Sequence, residues 1–187
     1  MKRFFDNMDA LNRYTLELRL HNDHATCPHC RQSAHLVSHG FVYKFQTHQH
    51  IQAIGKRILC SNRFGHTGCG RTQQLYVSTI MPSHHYSILH LCVFVLALLK
   101  DAAISTAYTL ATQCQEPRHG YRWIAKMVRQ TITFRQYLGT FSQHPMPRFQ
   151  SASPRLRLLL PLLSRFNQQF PHPFIQAFQQ RFQQAFI

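Results

Sequence analysis

Four cysteines carry the clearest site chemistry in this sequence. Cys27 and Cys30 flank Pro28 and His29, and Cys60 and Cys69 follow an extended stretch. Two thiolates separated by two residues can aim at one ion. Four of them complete a tetrahedral zinc site with no position left for water, which makes the metal structural. The second pair departs from this pattern. Eight residues separate Cys60 from Cys69, where about two to four are usual. Gly65 and Gly68 allow tight bends within that gap. The set Cys27, Cys30, Cys60 and Cys69 is the first expectation. A set in which His66 replaces one thiolate is the second, because His66 and Cys69 have knuckle spacing, and a site without metal is the third. Cys92 reads as a small core residue and Cys114 as a free thiol. Most of the 14 histidines read as solvated side chains, His48 and His50 or His84 and His85 included.

Acid chemistry is scarce. The six carboxylates are Asp6, Asp9, Glu17, Asp23, Asp101 and Glu116. A two-metal nuclease or a three-carboxylate transposase needs acids converging on divalent ions. No such grouping surrounds Asp101 and Glu116, so catalysis by this chain is not expected. The excess runs the other way, with 21 Lys and Arg, a net charge of +15 and a pI near 10.3. Such a field attracts polyanions, and nucleic acid is the expected partner.

The 44% hydrophobic fraction and 15 Phe supply a core. The opening residues, MKRFFDNMDALNRYTLELRL, lack the apolar centre of a secretory signal. The longest apolar run, Ile88 to Leu99, is interrupted by His90 and falls short of the roughly 20 residues of a membrane helix. A reducing cytoplasm, with association to the nucleoid, is the expected setting.

The elements that must position the cysteines follow from periodicity. Phe4, Phe5, Met8 and Leu11 have helical spacing, and Tyr14, Leu16, Leu18 and Leu20 alternate like a strand. His35 to Phe45, Ile51 to Leu59 and Arg71 to Val77 have strand composition. Pro82 to Lys100 predicts a buried helix and Asp101 to Thr112 a second. A third starts at Pro117 or Arg118. On it Arg118, Arg122, Lys126 and Arg129 fall on one arc beside His119, and no acid interrupts them. A helix with one packed and one basic side suits the major groove. Lys56, Arg57, Arg63 and Arg71 are candidate phosphate contacts from the cysteine region.

Pro145, Pro147 and Pro154 mark a linker. The following leucine-rich segment should kink or restart at Pro161, and its Arg155, Arg157 and Arg165 are further candidates for phosphate. Phe166, Phe170, Phe174, Phe178, Phe182 and Phe186 recur every four residues, and a helix is expected from Phe174 to Ile187. Its stripe, Phe174, Phe178, Phe182 and Phe186, faces either the chain's own core or a partner, as a homodimer seam or a docking helix.

Cys27-Pro28-His29-Cys30, Gly55-Lys56-Arg57, Cys60 and Cys69-Gly70-Arg71-Thr72 resemble the zinc ribbons of insertion-sequence transposases, and in particular the InsA-type DNA-binding proteins. Tyr121-Arg122-Trp123-Ile124 is similar to the second helix of transposase helix-turn-helix units. The resemblance covers about residues 25–130. It implies one structural Zn2+, a ribbon followed by a helix-turn-helix, binding to double-stranded DNA, and an accessory or regulatory role beside a transposase or other nucleoprotein component. An adaptor working through the Phe stripe, or an RNA-binding zinc protein stacking bases on Phe41, Tyr43 and Phe45, are the alternatives.

The expected class is α+β. Residues 1–22 form a lead-in of short helix and strand, 23–79 the ribbon, 80–138 a helical helix-turn-helix domain, and 139–187 a linker and Phe/Gln-rich helical tail.

Overall fold

The computed structural model describes residues 3–20, 25–47, 50–82, 84–139, 149 and 153–187. The fold is α+β, with the strands N-terminal and most helices after them. It divides into two compact units, Met1–His85 with Gln179–Gln184, and Tyr86–Phe178 with Ala185–Ile187. Among the described residues no helix is long and apolar enough to cross a membrane.

The first unit is built on four strands, β1 (Phe4–Phe5), β2 (Leu36–Thr47), β3 (His50–Cys60) and β4 (Thr72–Val77), in the order β1-β4-β3-β2. β2, β3 and β4 pair antiparallel, while β1 runs parallel to β4 with Phe4 opposite Tyr76. The last three strands lie where composition places them. Helix α1 (Met8–Leu20) packs against the sheet, and the two share a core of Phe5, Leu11, Leu18, Leu36, Ile58 and Leu75 that also takes in Cys27 and Cys60.

The lead-in is corrected. Phe4 and Phe5 form an edge strand instead of a helical turn, and Tyr14 to Leu20 is helix instead of strand. Asn7 starts the helix, its Oδ1 accepting from the Ala10 N–H at 2.9 Å, as an N-cap side chain does. Leu11, Thr15 and Leu18 are buried at helical spacing while Leu16 faces out.

The edge of β1 is closed by a distant side chain. Gln183 Oε1 accepts from the Arg3 and Phe4 N–H groups at 2.7 and 2.8 Å, and its Nε2 donates to the Phe4 carbonyl. Gln179 is fully buried and donates to the Ser78 and Ile80 carbonyls.

The second unit holds α2 (Ile88–Leu99), α3 (Ile104–Thr112), α4 (Arg118–Arg129), α5 (Thr131–Gly139), α6 (Pro154–Gln169) and most of α7 (Phe174–Phe182). α4 starts at the expected residue. Trp123 is its central core group, meeting Phe94, Tyr108 and Tyr86 edge-on at 5.3 to 5.5 Å. Gly120 lets α3 and α4 approach, since a Cβ there would lie 3.1 Å from the Tyr108 ring. α6 runs through Pro161 without restarting, and Leu156, Leu159, Leu160, Leu163 and Phe166 are buried along its length. Pro145 and Pro147 lie outside the described residues, as does His48.

The tail helix ends at Phe182, short of the expected Ile187, because Gln183 takes a left-handed backbone (φ 56°). Phe186 folds back against Phe134, 4.9 Å between ring centres, and against Phe178 at 5.1 Å. Phe174, Phe178 and Phe186 are fully buried and Phe182 is half-buried. Three of the four rings of the stripe, Phe174, Phe178 and Phe186, are therefore core of the chain itself. Arg165 is also buried, whereas Arg155 and Arg157 are exposed.

Candidate metal centre

The tight turn after Cys27 brings the first two ligands together. The Arg31 N–H donates to the Cys27 carbonyl at 2.8 Å, and the Cys27 N–H donates to Gln32 at 2.9 Å. Arg31, directly after Cys30, sits in the left-handed region at φ 60°, and Gly70, directly after Cys69, does the same at φ 71°. The two cysteine turns thus share a backbone shape, although only one uses glycine for it.

The wide gap between Cys60 and Cys69 has a simple structural answer. The Cys60 N–H donates to Arg71 at 2.9 Å, Gly70 N–H to Cys60 at 2.8 Å, and Gly68 N–H to Ser61 at 2.8 Å. These bonds extend the β3/β4 hairpin, so the two cysteines face each other across it. Residues 62–67 are an added tip. There Phe64 and Gly65 both take positive φ, and the Phe64 ring is 98% exposed.

All four sulfurs lie within 4.8 Å of one another. Cys27 Sγ is 3.8 Å from Cys69 Sγ, and Cys30 Sγ is 3.6 Å from Cys60 Sγ. A four-coordinate ion with metal–sulfur bonds of about 2.3 Å requires tetrahedral edges of about 3.8 Å. The cluster fits one metal ion, and none of the four cysteines is in a disulfide. His66 is turned elsewhere, with its Nδ1 3.3 Å from His35 Nδ1. The structure brings together the four-cysteine set and leaves the histidine alternative out.

N–H donors surround the sulfurs. The Gln32 N–H lowers the Cys30 thiol to about 7. Burial pushes Cys60 up to about 12, opposed by the Cys69 N–H at 3.4 Å. Gln73 Nε2 lies 3.8 Å from Cys27 Sγ. Such contacts favour the thiolate form that a cation needs. Gln73 and Gln32 carry no signal of this role in the sequence, since each acquires it only when a turn or strand is formed. Gly68 reads as a bend, yet its role is clearance. A Cβ there would lie 2.6 Å from Cys60 Sγ and collide with the Ser61 carbonyl. Gly68→Ala should weaken metal binding about fivefold or more, given overpacking costs of about 1–3 kcal/mol. Chelator competition measures this, and an unchanged affinity would show that the hairpin yields at no cost.

No family model, curated protein or solved structure matches this chain.

Arg118, His119, Arg122 and Arg129 are exposed on α4, and Lys126 is half-exposed, while Gly120, Trp123, Ile124 and Met127 are buried. Partial burial, and then Arg129, lower the Lys126 ammonium from its ordinary value. Arg118 is held by Glu116 at 2.7 Å in an exposed pair. An exposed pair of this kind contributes about 0–1 kcal/mol and is readily exchanged for another anion. In the first unit Arg57, Arg63 and Arg71 are exposed. Lys56 is directed to α1, where its Nζ donates to Thr15 Oγ1 at 2.9 Å and lies 5.2 Å from the Phe41 ring centre.

Proposed function

We propose that the chain is a zinc-dependent, sequence-preferring protein of double-stranded DNA, acting as an accessory or regulatory factor of a mobile genetic element. The observation that carries this reading is α4. Its basic side chains occupy the exposed side of a helix whose other side is anchored by Trp123, in a chain of net charge +15. A positively charged helix anchored in this way suits the major groove, where Arg reads guanine edges.

Zinc is the ion that best suits four thiolates at tetrahedral spacing. Cys27, Cys30, Cys60 and Cys69 would hold it, and its contribution is to fix the hairpin and the N-terminal turn to each other. Arg57, Arg63 and Arg71 would add phosphate contacts, so affinity should fall steeply with salt.

Selection of duplexes from a random pool by the zinc-loaded protein, followed by competition against a scrambled sequence, tests the reading. Arg122→Ala and Arg118→Ala should each reduce discrimination about tenfold, within the roughly 1–3 kcal/mol of a bidentate base contact. Arg71→Ala should weaken both duplexes alike. If both α4 variants keep full discrimination, α4 does not read the groove.

A further inference from the structure

Two adjoining cavities open on the first unit, and none of the four cysteines lines either one. The larger, about 420 Å³, is walled by Tyr43, Lys44, Gln74, Tyr76, His84 and His85. The second, about 350 Å³, is walled by Arg3, His29, Thr72 and Gln183. Gln74 lines both, so the two cavities are neighbours along a trough on the sheet.

Strand register explains the opening. Thr72, Gln74 and Tyr76 alternate onto one face of β4. Gly55 stands opposite Tyr76 and contributes no side chain there, and the exposed Arg57 stands opposite Gln74. The Tyr76 hydroxyl donates to Gln74 Oε1, which turns the buried ring into a fixed floor. Burial raises the Tyr76 phenol above its ordinary value, and the nearby Arg3 and Arg57 pull it down. Arg3 in the second cavity and Arg57 opposite Gln74 thus put two arginines on this side of the sheet.

The lining is aromatic, cationic and amide-bearing, and no carboxylate takes part. Partial burial lowers the Lys44 ammonium, a penalty that an anion beside it would offset. Each cavity falls within the ~300–1,000 Å³ range of ligand pockets. Tyr43, 58% exposed at the rim, offers a ring face to a planar group. An aromatic base carrying phosphate meets all of these features, as a free nucleotide or as part of a strand. Two cavities in series, joined through Gln74, favour consecutive nucleotides.

We propose that this trough binds single-stranded nucleic acid, with a base against Tyr43, phosphates beside Lys44 and Arg57, and the next nucleotide in the cavity beside Arg3 and His29. Aromatic side chains and a basic groove are the usual means of holding unpaired strands. The site uses the first unit alone and does not rest on groove reading by α4.

Fluorescence anisotropy with full-length, zinc-loaded protein and a labelled ten-nucleotide oligo(dT) tests the proposal. Tyr43→Ala, Lys44→Gln and Arg57→Gln should each weaken oligo(dT) binding about fivefold or more, with zinc content unchanged. Thymidine monophosphate at the same nucleotide concentration should fail to displace the oligomer. Wild-type affinity in all three variants overturns the proposal, and so does full displacement by the free nucleotide. Arg122→Ala separates the two sites. It should leave oligo(dT) binding intact even where duplex discrimination is lost, and a matching loss of oligo(dT) binding would place the strand on α4 instead.

Discussion

Cys60→Ser should abolish stoichiometric zinc and unfold the first unit. Cys60 ends β3, is fully buried, and shares the core with Cys27, Leu36 and Ile58. Its sulfur stands 3.6 Å from that of Cys30, so one missing thiolate opens the tetrahedron at its centre. Structural zinc contributes about 10–16 kcal/mol in small zinc domains, as much as the total of about 5–15 kcal/mol by which whole proteins are stable. Losing most of it exceeds what the sheet can supply. Metal analysis per chain and circular dichroism read the result. His66→Ala and Cys114→Ser should each keep one zinc. A Cys60→Ser protein that still holds one tightly bound zinc would contradict the four-sulfur assignment.

The second large effect is expected at Trp123. It is 1% exposed and touches three aromatic rings from α2, α3 and the segment before α2. Trp123→Ala should destabilise the second unit by about 3–5 kcal/mol, the range for deleting a large buried aromatic. For a unit of this size that corresponds to a fall of ten or more degrees in its melting temperature. Trp123→Phe, which keeps most of the ring contact, should cost less than half as much. Zinc stoichiometry should not change in either variant. Calorimetry resolves the affected transition, and because Trp123 is the single tryptophan, its fluorescence in the parent protein reports on this same core. A melting temperature within two degrees of the parent would mean that α4 is held by something other than its tryptophan.

Much of the architecture was legible from spacing. The strands β2, β3 and β4 carry β-branched and aromatic residues between turn signals, and α2 announces itself by a nearly continuous apolar run, the pattern of a buried helix. The misreadings share a cause. Tyr14, Leu16, Leu18 and Leu20 alternate, but the face that α1 buries includes the polar Thr15 and excludes Leu16, so side-chain polarity masked the helical period. Pro161 removes one backbone donor, which costs about 3 kcal/mol or more in a helix interior. Six buried apolar side chains on both sides of it are worth more than that, at about 1.5–3 kcal/mol each. The four-residue spacing of phenylalanines continues through Phe186, but the backbone reverses at Gln183 and delivers the last ring from a different direction.

All four cysteines of the metal centre were legible in the sequence, and the two-residue gap between Cys27 and Cys30 is a local property. How the eight-residue gap between Cys60 and Cys69 closes was not legible, because closeness across a hairpin depends on register and leaves no trace in separation along the chain. The same holds for Lys56, whose partner Thr15 lies 41 residues away, and for the trough, whose walls run from Arg3 and His29 through three strands to Gln183.

Gln183 supplies to β1 the bonds that a neighbouring strand would otherwise make, across 180 residues of sequence. During synthesis, at about 5–20 residues per second, roughly five to twenty seconds separate the completion of β4 at Val77 from the addition of this glutamine. Over that interval the nascent sheet presents an open border of the kind that recruits foreign strands. A pause in translation shortly before residue 183 would lengthen that interval.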